Sequence, residues 1–364
     1  MAYIDDITEI TTRIPRAIID FETERVRARI PSQSASNFIT NKEQGDWAER
    51  IVFDAINNSS QQYKAVKYGK SDDIIAGEDG FDAFYNDFQE ELDKIGKRPD
   101  ILIFNINDYR EDFGLDISRM SEPAVREYVK QAIAGVEIRS STFLLERYEA
   151  YMNARTERHL NEALEIVSII LSDYLDLLQH EAKRKYIGIL QSINTETIRA
   201  ISFRVPGWGA NERLIELNQL FKDLQYHIKE IQKRSTLSIT PKVEDIRVVY
   251  KWIETYNVPH YYFQVFFDKV YAISFKEILL MLTDADNEGR LFNLERDSAN
   301  QFKTTIKIST TTTQKIADRV DEPDHSSRRR ELNKGQLLYY VTFQNGCAYL
   351  DIEALKNVLN IPIW

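Results

Sequence analysis

The chain has 364 residues, 43% of them hydrophobic and 29% charged, enough apolar material for one large domain or two ordinary ones. Its single cysteine, Cys347, excludes an intrachain disulfide framework or a cysteine-built zinc site and fits a reducing cytoplasm. A net charge of −10 argues against a uniformly phosphate-binding surface, although basic clusters at 183–185, 229–234 and 328–330 leave room for a local basic groove.

The start, MAYIDDITEI, has no basic segment followed by an apolar one, so no signal peptide is expected. The most apolar helical stretch, 164–178, is interrupted by Ser168, Ser172, Asp173 and Asp176 and is unsuited to spanning a membrane. Residues 14–30 carry apolar positions at helical spacing and end in the polar turn PSQSASN. A second helix is expected over 42–57, with Trp47, Ile51, Phe53 and Ile56 facing the core and Glu49 on the same element. Residues 62–68 read as a strand closed by the turn-prone 69–73, and an acidic amphipathic segment occupies 72–93.

The breaker IGKRPD then introduces a strand at 101–106, with Pro99 where no ladder donor is needed. A loop over 107–121 and a helix over 122–133, with Pro123 in its first turn, lead to a strand at 135–139. Nearly continuous helix is expected from 142 to about 194, broken between 151 and 161. A short strand at 201–205, the turn PGWGAN and a helix over 212–233 follow. Thr240 and Pro241 suit the N-cap and first position of a helix that stops near Asn257. The aromatic run 260–268 is the strongest strand signal, continued by 270–275. Further strands are expected at 303–311 and 337–343, with a last helix at 351–359 and the most disorder-prone stretch at 321–334.

The chemistry points to 97–141. Asp100 stands at the mouth of one apolar strand, and Glu137 lies inside the next, two residues before Arg139. Hard divalent ions such as Mg2+ take one or two carboxylates plus phosphate oxygens and water. Asp100 and Glu137 can supply those carboxylates, with the backbone carbonyl of Ile138 as a further ligand. Arg139 shares a strand face with Glu137 and would place a fixed cation beside a phosphate. The blander reading makes Asp100 a strand-start cap and Glu137–Arg139 an ordinary same-face pair, and for these two short motifs alone it wins about half the time or more. Apolar runs behind both acids, Ser140 and Ser141 after Arg139, and Glu49 upstream favour the metal site.

Glu49 in GDWAERIV, RPD before an apolar strand, and VEIRSS on the next strand resemble the PD-(D/E)xK nuclease fold of Type II restriction endonucleases. TPKVEDIRVVYKWIETYNVPHYYFQVFFDKVYAISF is similar to the C-terminal half of AccI-type restriction enzymes, so the resemblance covers roughly 44–275. It implies an α/β core, a mixed central sheet flanked by helices, with long helical insertions and an α+β C-terminal region. It also implies Mg2+-dependent cleavage of double-stranded DNA at a short, palindromic sequence by a homodimer, leaving 5′-phosphate ends. By position, Asp100 and Glu137 become metal ligands and Glu49 a supporting acid. The family's usual lysine is replaced by Arg139, so either arginine does its work or a lysine reaches in from elsewhere, Lys242 first. The stretch between Asp100 and Glu137 also exceeds a simple hairpin and requires an inserted helix.

On this reading residues 1–43 form an N-terminal helical segment, 44–141 and 240–276 the two parts of the core, 142–239 a mainly helical insertion, and 277–364 a DNA-facing region. Candidate DNA contacts are Ser140, Ser141, Lys242, Trp208, Arg328, Arg329 and Arg330. For the arginines a solvated charged loop is equally plausible, and for Trp208 a turn anchored by one aromatic. His260 reads as a packed or surface histidine, and no P-loop motif is present. A nuclease recognising DNA structure, and a non-catalytic DNA-binding or helical interaction protein, remain the rival readings.

Overall fold

The computed structural model describes residues 2–23, 25–70, 74–297 and 303–360, so residues 71–73, where the expected turn and acidic segment meet, lie outside the described residues. In chain order it runs α1 (Tyr3–Arg13), α2 (Ser36–Ser59), β1 (Tyr63–Lys67), α3 (Phe81–Ile95), β2 (Ile101–Asn105), α4 (Glu122–Val129) and β3 (Ala134–Ser140). There follow α5 (Leu145–Asp173), α6 (Leu175–Leu178), α7 (Lys185–Ser192), α8 (Glu212–Gln232), β4 (Ser238–Ile239), α9 (Val243–Tyr256), β5 (His260–Val265), β6 (Val270–Ser274) and α10 (Phe275–Leu282). The chain ends with β7 (Phe292–Asp297), β8 (Lys303–Ser309), β9 (Gln314–Val320), β10 (Asp324–Glu331), β11 (Leu337–Gln344), β12 (Ala348–Leu350) and α11 (Ile352–Val358). Contacts divide it into one unit of Met1–Leu145 with Leu237–Trp364 and a second unit of Glu146–Thr236.

The first unit is mixed α/β, organised on a seven-stranded sheet of order β1-β2-β3-β5-β6-β9-β12. Only β3 and β5 run parallel; every other neighbouring pair is antiparallel. Side-chain alternation buries both faces. Ile101, Ile103, Val136, Phe263 and Val265 pack under α2 with Trp47, Ile51 and Val52. Leu102, Phe104 and Tyr262 point the other way, toward Ile246, Val249, Trp252 and Ile253 of α9.

Gly96 sets the entry to β2. It closes α3 at φ +80, and a Cβ there would collide with the carbonyl oxygen of Val248 and lie 2.5 Å from the nitrogen of Trp252. The next residue, Lys97, donates its N–H to that carbonyl at 2.9 Å. Gly96→Ala is therefore expected to cost at least about 2 kcal/mol, from left-handed strain plus overpacking, measurable by urea unfolding.

His260 is fully buried among Trp252, Tyr262 and Phe275, with neither ring nitrogen hydrogen-bonded. Burial, reinforced by the positive charges of Lys97 and Arg139, lowers its pKa from 6.5 to about 3. The folded state thus excludes a proton that the unfolded chain takes up below pH 6.5, and stability present above that pH is lost as pH falls toward 3. Replacing it in His260→Leu should shrink the loss of unfolding free energy between pH 7 and pH 5 by about 2 kcal/mol.

The second unit is all-helical. Ala163, Val167 and Ile170 of α5 pack with Leu217, Phe221, Leu224 and Ile228 of α8.

Five expectations are corrected. Helix forms over Tyr3–Arg13 rather than 14–30, because Pro15 forces Ile14 into an extended conformation. No break occurs between 151 and 161, a stretch without glycine or proline; α5 runs on to Asp173. Residues 201–205 form no strand, and glutamine side chains of α8 satisfy their backbone instead: Gln225 and Gln232 donate to the carbonyls of Phe203 and Ile201, each at 2.8 Å. Helix α9 starts two residues later than Thr240–Pro241 implies, because the carbonyl of Pro241 accepts from Ile306 in β8. The charged stretch 321–334 is ordered by pairing: β10 and β11 form an antiparallel ribbon in which Arg328, Arg329 and Arg330 face Tyr340, Tyr339 and Leu338.

Candidate active site

Strand register brings the two acids together. Ile101 of β2 pairs with Val136 of β3, so Asp100, one step before β2, lies opposite Glu137. A helix, α4, does occupy the connection between them. The Ile138 N–H donates to Asp100 Oδ2 at 2.6 Å. A strand residue's N–H and C=O leave on the same side, so the Ile138 carbonyl also faces the Asp100 side of β3.

Glu137 is only 2% exposed. Its Oε1 is in ion-pair contact with Lys97 Nζ and lies 3.1 Å from Arg139 Nη2. Its Oε2 is buried with no hydrogen-bond partner. A buried carboxylate oxygen left unpaired is costly, and a hard cation is one group that would satisfy it. The donor set, two facing carboxylates and a backbone carbonyl, fits Mg2+ chemistry.

Burial and the neighbouring Glu137 raise the pKa of Asp100 to about 7, against the opposing pull of Lys97 and the Ile138 N–H. Glu49, on α2, lines the same cavity; burial and then Asp100, Asp46 and Glu137 hold its carboxyl well above the usual range. The cavity measures about 560 Å3 and is also lined by Lys97, Arg139, Ser140, Ser141 and Lys242. The sequence candidates Asp100, Glu137, Ile138, Arg139, Glu49, Ser140, Ser141 and Lys242 thus meet in one place.

Two residues of this cluster were not foreseen. Lys97 is the lysine that contacts Glu137; although burial works against its charge, Glu137, Asp245 and Asp100 outweigh it and raise its pKa. Its only sequence signal is its place three residues before Asp100, just after the glycine that ends α3. Asp245, in the first turn of α9, takes Arg139 Nη2 at 2.5 Å. Burial opposes its ionisation, but Lys97, Arg139 and Lys242 keep its pKa low. Arg139 is therefore engaged by two carboxylates. Lys242 caps α9, its pKa lowered by burial and nearby cations despite Asp245.

The remaining candidates lie elsewhere. Arg330 forms a two-pronged pair with Glu78 at 2.6 and 2.7 Å, Arg329 lies 3.7 Å from Glu331, and Arg328 and Arg329 are exposed. Their ribbon sits on α2, where Ser36 and Thr40 accept the N–H groups of Tyr339 and Val341, each at 3.2 Å. Trp208 belongs to the helical unit, packed edge-on to Tyr186 and Phe221 with Lys183 over its ring. Among the described residues no helix is long and apolar enough to cross a membrane.

No curated protein and no solved structure matches the chain. The family model described as AccI restriction endonuclease matches residues 1–363, nearly the whole chain. The chain therefore belongs to the AccI restriction endonuclease family, whose members are Type II site-specific deoxyribonucleases that act on DNA.

Proposed function

We propose that this restriction enzyme uses a PD-(D/E)xK-type centre, built on Asp100 and Glu137, to hydrolyse double-stranded DNA with Mg2+. The observation that carries the reading is the buried, unpartnered Oε2 of Glu137, a residue set opposite Asp100 by strand register in a cavity lined by Lys97. Asp100, Glu137 and the Ile138 carbonyl would hold the metal. When bound, Mg2+ supplies positive charge to the scissile phosphate and lowers the pKa of water.

The protein's own groups do the rest. Lys97 takes the place of the family's usual lysine and sets a cation against the phosphate. Arg139, held by Asp245, keeps Glu137 in place and adds to the positive field. Glu49, whose carboxyl is held well above the usual range by burial and by Asp100, Asp46 and Glu137, serves as a supporting acid at the cavity wall. Water oxygen bonds to phosphorus, the P–O3′ bond breaks and O3′ leaves with a proton, so the phosphate stays on the 5′ end.

Ser140, Ser141 and Lys242 contact the DNA backbone beside the cut, and Arg328 and Arg329 meet phosphates or guanine edges from the ribbon on α2. Arg330 serves the ribbon through Glu78, and Trp208 serves the helical unit's packing. A two-fold homodimer would present two such centres to a palindromic site.

Plasmid DNA incubated with Mg2+ or with EDTA tests the reading. Discrete bands that need Mg2+ are expected. A smear would indicate a nuclease without sequence specificity, and metal-independent cutting or none by fresh protein would overturn the proposal.

A further inference from the structure

A second cluster with metal chemistry lies wholly within the helical unit. His159 and Glu162 stand one turn apart on α5, at the spacing that places two side chains on the same helix face. His227 meets them from α8. The two Nδ1 atoms are 2.8 Å apart, and His227 Nδ1 is 3.0 Å from Glu162 Oε2. All three ligand atoms fall within 4.8 Å of one another.

Hydrogen bonding alone satisfies this arrangement poorly. An imidazole nitrogen carries either a hydrogen or a lone pair, never both. With a hydrogen, His227 Nδ1 must share it between Glu162 and His159. With a lone pair, it accepts from His159 and turns that pair on the Glu162 carboxylate. One cation between the three atoms gives every one of them a partner.

We infer that His159, His227 and Glu162 bind a borderline divalent cation of the zinc class, joining α5 to α8. Two imidazoles and one carboxylate suit zinc, whereas Mg2+ prefers oxygen alone. Zn–N bonds of 2.0–2.1 Å in tetrahedral geometry place two nitrogens roughly 3.4 Å apart, so the rings need part only slightly. His159 is buried, while the Glu162 side chain is 46% exposed and gives the ion its path in. The inference stands on the helical unit alone and is independent of how the nuclease centre works.

The test uses the full chain, stripped of metal and dialysed against Zn2+, or Co2+ as a spectroscopic stand-in, with excess Mg2+ present to occupy oxygen-only sites. One zinc per chain and visible Co2+ ligand-field bands are expected. Both should vanish in His227→Ala. Glu162→Gln, a change at the surface that should leave the helical circular dichroism intact, should weaken zinc by at least the roughly 10–100-fold lost on altering an outer-shell partner. Absence of zinc from the wild type, or zinc binding by both variants equal to that of the wild type, would overturn the inference.

Discussion

Replacing Glu137 by glutamine is expected to slow DNA cleavage by at least about 10³-fold, because the several kcal/mol that a metal contributes to the transition state go with the carboxylate. The substitution conserves shape, so the loss reports charge and ligation rather than packing. Glu137 lies between Lys97 and Arg139 on a strand whose Val136 and Ile138 face the opposite layer, and Asp245 remains as a carboxylate partner of Arg139 in the variant, whose folding is checked by circular dichroism. DNA binding, followed by gel shift, should survive, since phosphate binding is driven by lysine and arginine rather than by carboxylates. Asp100→Asn should behave alike. Single-turnover cleavage of plasmid DNA measures both. A variant that cuts at more than a tenth of the wild-type rate would remove Glu137 or Asp100 from the centre.

Lys97→Met is expected to cost about 10²–10³-fold in the cleavage step, the size seen when one preorganised charge-stabilising donor is deleted. Arg139→Gln should cost less. The guanidinium of Arg139 is already committed to Asp245 at 2.5 Å and Glu137 at 3.1 Å, whereas the Lys97 ammonium meets Glu137 at the cavity wall. Because the surrounding carboxylates raise the Lys97 pKa, the ammonium stays charged across ordinary assay conditions, and higher pH should not mimic the substitution. If Arg139→Gln proves the more damaging, the cation role passes to Arg139. If Lys242→Met does, it passes to the cap of α9.

The meeting of Asp100 with Glu137 was legible in the sequence because it depends on strand register. RPD before Ile101 and VEIR on the next apolar run place two carboxylates across one antiparallel pair, and the ladder from Ile101 to Val136 follows from those runs. The contact of Lys97 with Glu137 was hidden because it depends on a close approach between distant elements. Lys97 reaches Glu137 only because Gly96 lets the chain pass against Val248, on a helix some 150 positions later, a contact no local pattern encodes. Asp245 was hidden for the same reason, reading in VEDIR as an ordinary first-turn acid.

Helices with apolar stripes, such as α2 and α8, were readable from spacing. Strand β11 was expected at 337–343, but its partner β10 was not: Arg328, Arg329 and Arg330 lie on a strand held by its partner rather than by a buried face, so composition alone suggests disorder. Misplaced boundaries came from single residues, with Pro15 ending α1 and the Pro241 carbonyl diverted into β8.

Binding of Mn2+, an oxygen-preferring stand-in for Mg2+ visible by electron paramagnetic resonance, tests most directly whether Asp100 and Glu137 hold the metal. Titrated in the presence of DNA, the wild type should bind ions that both Asp100→Asn and Glu137→Gln lose, while Lys97→Met retains them. Equal Mn2+ binding by the wild type and the two acid variants would contradict a metal centre on these strands.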